Sequence, residues 1–449
     1  MTRGGVSDGR GALATGRGFT GGGADTGGGG GTSSTYVFTT DQELSSIDTN
    51  QEPYATQHDN LVNGNGESRA TTSPTLYTVT DNTNHGYDVH RFVGSKNDPD
   101  RLDYNDATAM GAQARDCALA YWFTGNDAFA EAVVDTLATW CVQSSTYMVP
   151  EAVIPSKDDN IVGTIRKDVW LADIPYAASF VRGHSRWDNY SSDTPWDSGS
   201  VSGNGEDALK QWLRDYHDGY SGSSLTGYST DSTASHQGQR DDGFCWDNNR
   251  VPWWTVTKGA IAAYLEDDAL MTEAKQMHTD DVFNACQYQQ DTKGARQWGG
   301  LNDVNDTEAW LQVEFLRDDD FDYTTFNYYA KSISCQLFEA YDDTDLWTHN
   351  ADTDSTTNAT LKRLVDWSTL RTTMLDTSQW EDPRSNNDGE QTANFEMEQA
   401  ACLYELAHKR WGEYSNEIDT TEANADGRPN WGKRVLGPVT LVHGGVGSA

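Results

Sequence analysis

Two short segments of this 449-residue chain gather side chains suited to handling a carboxylate and a proton. The first reads Cys245-Trp246-Asp247-Asn248-Asn249-Arg250-Val251-Pro252-Trp253-Trp254. Asn residues before a helix serve as caps. Aimed into a cleft, the same amides and the guanidinium of Arg250 can hold a carboxylate through charge-assisted hydrogen bonds. The second segment runs Glu314-Phe315-Leu316-Arg317, three Asp, then Phe321-Asp322-Tyr323. There Arg317 can simply pair with its acidic neighbours, and Tyr323 can be a helix-entry aromatic.

Taken together, the two segments fit the β-elimination of a uronic acid. The C5 proton of a uronate is weakly acidic because of the adjacent carboxylate. Removing it and expelling the sugar at O4 leaves a C4–C5 double bond. The reaction needs the carboxylate charge neutralised, a base for the C5 proton and an acid for the leaving oxygen. Asn and Arg supply the first through hydrogen bonds that strengthen as charge develops. A Tyr supplies the others, as base when deprotonated and as acid when neutral, and a nearby Arg favours its anion.

These segments must be carried by helices, because the clearest periodicity in the chain is helical. Met110, Ala114, Cys117, Ala118 and Tyr121 alternate at three and four, with Asn105 as the expected cap. Thr124-Gly125-Asn126 breaks that helix, and Phe129, Val133, Leu137 and Trp140 begin the next, giving an αα-hairpin. A second hairpin is expected over Trp253–Tyr264 and Ala269–Met277. Further helices are expected over Ile165–Val181, Phe326–Tyr341, Ala359–Leu375 and Ala393–Trp411. Strand-like alternation is confined to Tyr36–Thr39 and Val439–Val442. Successive hairpins imply an all-α solenoid or closed toroid. The stretches Ser191–Gly205 and Gly219–Gln239 are rich in Ser, Gly and Asp and are expected as long loops.

Composition restricts the partners. The net charge is −37, from 69 acidic and 32 basic residues. Such self-repulsion destabilises a compact state in dilute salt, and at molar salt the screening length falls to about 3 Å. The chain therefore reads as a halophile's protein. No basic stripe exists to displace counterions, so nucleic acid is excluded as a partner. The 16 Trp and 20 Tyr supply core and, at a few positions, flat surfaces for sugars. Cys117, Cys141, Cys245, Cys286, Cys335 and Cys402 form no metal-binding pattern and read as buried thiols. No metal or cofactor is expected, and no apolar run is long enough to span a membrane. Residues 1–35 read as a disordered Gly-rich leader without a signal peptide, residues 36–415 as the helical domain and residues 416–449 as a C-terminal extension.

The order of motifs resembles the alginate lyase superfamily, the enzymes built on an incomplete helical toroid. Tyr104-Asn105-Asp106 and Leu119-Ala120-Tyr121-Trp122-Phe123-Thr124-Gly125-Asn126 are similar to its opening helix and turn, and Trp140 to the Trp ending its next helix. Asn248-Asn249-Arg250 resembles its Asn-Asn-His motif. Glu314-Phe315-Leu316-Arg317 with Tyr323 resembles its Glu-Leu-x-Arg element and following Tyr. The resemblance implies an (α/α) toroid, an incomplete barrel of helical hairpins, from about Tyr36 to Trp411. It implies a polysaccharide lyase without a cofactor, acting outside the cell or at its surface on an acidic, alginate-like polymer. Asn249 and Arg317 would hold the carboxylate and Tyr323 would be the general acid. Arg250 stands where the family has His, and can neutralise charge but not act as a base. Asn248, Trp246, Trp253, His90 and Arg91 are candidates for substrate binding. Arg91, Arg166, Arg250 and Arg317 are the cations that would make the site locally positive.

Two other classes fit part of the pattern. A glycoside hydrolase needs two carboxylates about 5–10 Å apart, for which Asp241 or Asp242 and Glu308 or Glu314 are available. A non-catalytic glycan-binding protein on the same fold would need no phenol at Tyr323.

Overall fold

The computed structural model describes residues 35–64, 99–148, 150, 171–221, 250–286, 320–350, 360–366, 397–424, 436–437 and 439–443. Residues Thr32–Ala449 cluster as one compact unit. The described elements are α1 (Asp41–Ser45), α2 (Tyr54–Asn63), α3 (Pro99–Thr124), α4 (Asp127–Cys141) and α5 (Asp173–Phe180). After a 3-10 turn at Ser185–Asn189 come β1 (Asp193–Thr194), β2 (Gly199–Ser200) and α6 (Gly205–Ser221). Then follow α7 (Arg250–Leu265), α8 (Asp268–Cys286), α9 (Asp320–Asp342), α10 (Met397–Trp411), α11 (Ser415–Asn424) and α12 (Val439–Val442).

The first hairpin forms for local reasons. Gly125 takes a left-handed φ of 64° and donates its N–H to the Tyr121 carbonyl at 2.7 Å, a backbone conformation that glycine adopts without a Cβ penalty. Asn126 then caps α4, its side chain accepting from the Ala128 N–H at 3.1 Å. Phe129, Val133, Leu137 and Trp140 are all buried, as their spacing predicts. Asn105 is not a cap: α3 begins earlier, at Pro99, where a proline costs the helix no hydrogen bond. The second hairpin, α7–α8, turns through Glu266 at φ 56°. The Asp267 carboxylate caps α8 by accepting from the Ala269 and Leu270 N–H groups at 3.2 and 3.3 Å.

Contacts along the helices fix their directions. Arg115 of α3 meets Asp173 at the start of α5 at 3.2 Å, and Tyr121 near the end of α3 meets His184 just beyond α5. Arg182, after α5, donates to the Ala263 carbonyl and lies 4.6 Å over the Tyr264 ring at the end of α7. Trp253 near the start of α7 packs on Phe326 near the start of α9, while Gly259, later in α7, lies against Leu337 and Phe338, later in α9. Arg410 at the end of α10 reaches Glu339 of α9 at 3.6 Å. Helices α3, α5, α7, α9 and α10 therefore run in one direction as an inner ring. The helices between them run back outside. In α8, Asp268 accepts from Tyr341 of α9 while His278 packs on Phe338, an antiparallel pairing. In α6, Glu206 faces Tyr264 while His217 lies near Lys258, which is antiparallel to α7.

The C-terminal ends of the ring are bridged by the segment around α1. Tyr36 stacks on Phe180 at 4.0 Å, Asp41 accepts from Trp122 at 2.9 Å, and Glu43 pairs with Lys409 at 2.8 Å and accepts from Gln336 at 3.4 Å. These contacts tie the segment to α5, α3, α10 and α9.

Several expectations need correction. Val439–Val442 is a helical turn, not a strand, and its neighbour His443 is buried against Tyr176. Tyr36–Thr39 forms a turn closed by a single bridge, Thr35 to Thr40. The only sheet among the described residues is the two-stranded β1–β2 hairpin, inside the expected loop Ser191–Gly205. Helices α1, α2, α6 and α11 have no counterpart among the expected helices. The helix expected over Ala359–Leu375 is described only at residues 361–366, and residues 222–239 of the second expected loop lie outside the described residues. Cys117, Cys141, Cys335 and Cys402 are buried thiols with no disulfide among them.

Candidate active site

Each motif-bearing segment precedes, in sequence, a helix of the inner ring. Arg250 is the first residue of α7, and Tyr323 lies in the first turn of α9. Trp246, Asn248 and Asn249 precede α7, Arg317 precedes α9, and His90 and Arg91 precede α3. These six, with Arg166 before α5, lie outside the described residues; so do Asp241, Asp242, Glu308 and Glu314. For Arg250 and Tyr323 only the backbone position is described.

What the structure does bring together is the pair of helix starts. Trp253, one turn into α7 from Arg250, meets Phe326, one turn into α9 from Tyr323, with ring centroids 4.7 Å apart. Tyr329, a further turn along α9, presents its ring edge-on to Trp253 at 6.0 Å. The two helix starts are thus adjacent and parallel. Trp253 itself is fully buried, and its indole N–H finds no acceptor among the described residues. It is a core residue, so the expected role as a sugar platform is not the one its position gives it.

The common direction of the inner helices has an electrostatic consequence. Each helix N-terminus carries roughly half a positive charge and unpaired N–H groups. Several such ends on one rim favour an anion there, in a chain whose net charge is −37.

The helices also bury charged and titratable groups that the sequence alone does not single out. Arg115 is buried between Asp116 at 2.9 Å and Asp173 at 3.2 Å. Two carboxylates share one guanidinium, and burial above all, then the Asp116 charge, pushes the Asp173 carboxyl up to about 8 against the pull of Arg115. Lys258 of α7 is buried, pairs with Glu273 and lies 4.8 Å over the Trp254 ring. Burial lowers its pKa, partly offset by Glu273. Lys331 of α9 is fully buried and donates to Asn327. His278 rests beside Cys335 at 3.3 Å, and burial pushes its pKa down to about 3. The signal for these was charge inside apolar runs, as in Val256-Thr257-Lys258-Gly259-Ala260. No group of three or more potential metal ligands occurs among the described residues.

Comparison with known proteins decides the family. The alginate lyase family model matches residues 45–380. The chain belongs to the alginate lyase family. A solved alginate lyase from Bacteroides ovatus superposes with a TM-score of 0.56 at 16% identity, over 92% of this chain and 99% of that one. A tyrosine-to-phenylalanine variant of alginate lyase A1-III, the enzyme of Sphingomonas species A1, complexed with a tetrasaccharide, gives 0.50 at 13% identity, over 91% and 96%. At these identities the likeness shows the fold, an α/α toroid. Comparison with curated proteins gives no match. As a member of the alginate lyase family, the chain is a polysaccharide lyase.

Proposed function

We propose that the rim formed by the N-terminal ends of the inner helices binds a uronate polymer and cleaves it by β-elimination, outside the cell or at its surface. Asn249 and Arg317 hold the carboxylate of the sugar at the cleavage point, and Arg250 adds positive charge beside them. Tyr323 delivers a proton to O4 as the C4–O4 bond breaks. Trp246, Asn248, His90 and Arg91 bind neighbouring sugars. The observation that carries this reading is the pairing of Trp253 with Phe326, which supports placing the Asn-Asn-Arg segment next to Tyr323. The shared direction of the helices supports an anionic substrate.

Replacing the family's His by Arg250 has a stereochemical consequence. An Arg stays protonated and takes no C5 proton. Tyr323 must then serve as base and acid in turn: its phenolate removes the C5 proton, the C4–C5 double bond forms as the C4–O4 bond breaks, and the phenol returns the proton to O4. One side chain can do both only when the C5 hydrogen and O4 lie on the same face of the ring. Mannuronate and glucuronate meet that condition; guluronate does not.

The test is the near-ultraviolet absorbance of the unsaturated product in molar salt, on polymannuronate, polyguluronate, alginate and glucuronan. Product is expected from polymannuronate or glucuronan and little from polyguluronate. Equal or faster cleavage of polyguluronate would contradict a reaction run by Tyr323 alone. A flat trace on every polymer from folded protein would remove the reading.

A further inference from the structure

We propose that Trp253 and Phe326 are positioning residues: a ring-on-ring spacer that sets the gap between the first turns of α7 and α9, the turns that carry Arg250 and Tyr323. The inference rests on the reading above and adds residues that never touch the substrate.

The argument begins with spacing. Residues three apart on a helix lie on one face, so Trp253 stands below Arg250 on α7 and Phe326 below Tyr323 on α9. One turn separates each ring from its functional partner, about 4.5 Å of helix rise. Both rings are buried, and they meet at 4.7 Å, tilted by 35°. Tyr329, one turn farther along α9, adds an edge-on contact to the indole at 6.0 Å. The interface is different farther along. There α7 offers Gly259, and a Cβ at that position would lie 3.2 Å from both methyl carbons of Leu337. Large rings part the helices at the functional end, and a glycine lets them close at the other. Ring volume therefore limits how near the two helix starts can come, and with it the gap at the rim. The unpartnered Trp253 N–H agrees with this, because the indole is held there by its size and not by a hydrogen bond.

A core side chain sits in close-packed surroundings, so changing its volume shifts its neighbours. Here the neighbours to shift are the two helix starts. The test is steady-state kinetics well below the melting temperature, where every variant is folded, on the polymer the parent cleaves best. Trp253→Leu and Phe326→Leu are expected to lower kcat on the order of 10- to 100-fold, as misplacement of about 1 Å does. KM is expected to stay within about threefold, because the groups that bind the polymer are retained. The swap Trp253→Phe/Phe326→Trp, which restores the combined ring volume, is expected to recover most of kcat. Leu337→Ala, at the closed end of the same interface, is expected to lower the melting temperature while leaving kcat at the parental value. If Trp253→Leu does not fold, Phe326→Leu and Trp253→Phe carry the same comparison.

Parental kcat in Trp253→Leu or Phe326→Leu would overturn the proposal. So would a fall in kcat in Leu337→Ala equal to theirs, since that is what general loosening gives. If the parent itself forms no unsaturated product, the reading fails first and the spacer with it; an active parent with insensitive rings sinks the spacer alone.

Discussion

Two neighbouring pairs in the inner ring, α3 with α5 and α7 with α9, solve the same packing problem in opposite ways. The first is joined by charge: Arg115 lies buried between Asp116 and Asp173, covered by Gly437, where a Cβ would come within 2.8 Å of the guanidinium. The second is joined by apolar volume: Trp253, Phe326 and Tyr329 at one end and Gly259 with Leu337 at the other. A buried ion pair gives little net stability because desolvation opposes it, yet it penalises any imbalance heavily. A packed interface tolerates small changes and responds to volume. The charged pair therefore fixes which helices meet, and the ring pair fixes how far apart they stand.

The sharpest way to break the contrast is to remove one charge. Arg115→Met removes the guanidinium that lies between the buried Asp116 and Asp173 and is expected to cost about 3–5 kcal/mol. Replacing Arg115, Asp116 and Asp173 together by apolar residues of similar size is expected to restore most of that stability. Denaturant titration checks both, and equal losses in the two proteins would deny that the single variant suffers from imbalance.

On the apolar side, Gly259→Ala sets a Cβ 3.2 Å from both Leu337 methyl carbons; overpacking of about 1–3 kcal/mol opposes the roughly 1 kcal/mol that alanine gains over glycine inside a helix, so a net loss of up to about 2 kcal/mol is expected. The same titration reads it. A net gain would mean that the α7–α9 approach has slack at its closed end.

Buried titratable groups add a pH dependence of their own. Asp173 has its folded pKa raised to about 8, so the folded state binds the extra proton, and this contribution is present at low pH and lost as pH rises from about 4 to 8. His278 and His443 are pushed down to about 3, chiefly by burial, so their contribution is present above about 6.5 and lost as pH falls toward 3. The combined contribution of these three groups is greatest near pH 6 to 6.5. Melting curves across pH check this, and Asp173→Asn is expected to flatten only the alkaline side. An unchanged alkaline slope in that variant would assign it elsewhere.

Salt should have the least effect on either interface. Screening acts on exposed charges and little on buried ones. The melting temperature is expected to rise between about 0.1 and 2 M salt because of the net charge of −37, with parallel rises for Gly259→Ala and parent. A salt response that differed between those two would show that α7–α9 packing depends on the charge field.

The contrast also explains how much of the molecule was legible in its sequence. Helices α3, α4, α7 and α8 were legible because Met110, Val133, Leu137 and their neighbours repeat at the helical period and Gly125 ends a helix in the way only its backbone allows. Helix α6 is not legible because the Ser-, Gly- and Asp-rich stretches on both sides of it read as loops, although Trp212, Leu213 and Tyr216 are buried. Val439–Val442 looked like a strand because β-branched residues favour strands until tertiary packing decides otherwise. At the site, residue types and order pointed to Asn249, Arg317 and Tyr323, and the fold sets the starts of α7 and α9 side by side. The role of Trp253 was not legible. A Trp beside a polar motif reads as a sugar platform, and only the approach of α9 reveals that it faces protein.

The most direct test of the central claim is the rate of unsaturated-end formation by Tyr323→Phe in molar salt, measured beside the parent on its best polymer. If Tyr323 moves both protons, loss of its hydroxyl abolishes the rate while polymer binding persists, since the groups holding the carboxylate are intact. A variant that kept the parental rate would contradict the claim and place the acid and the base elsewhere on the rim.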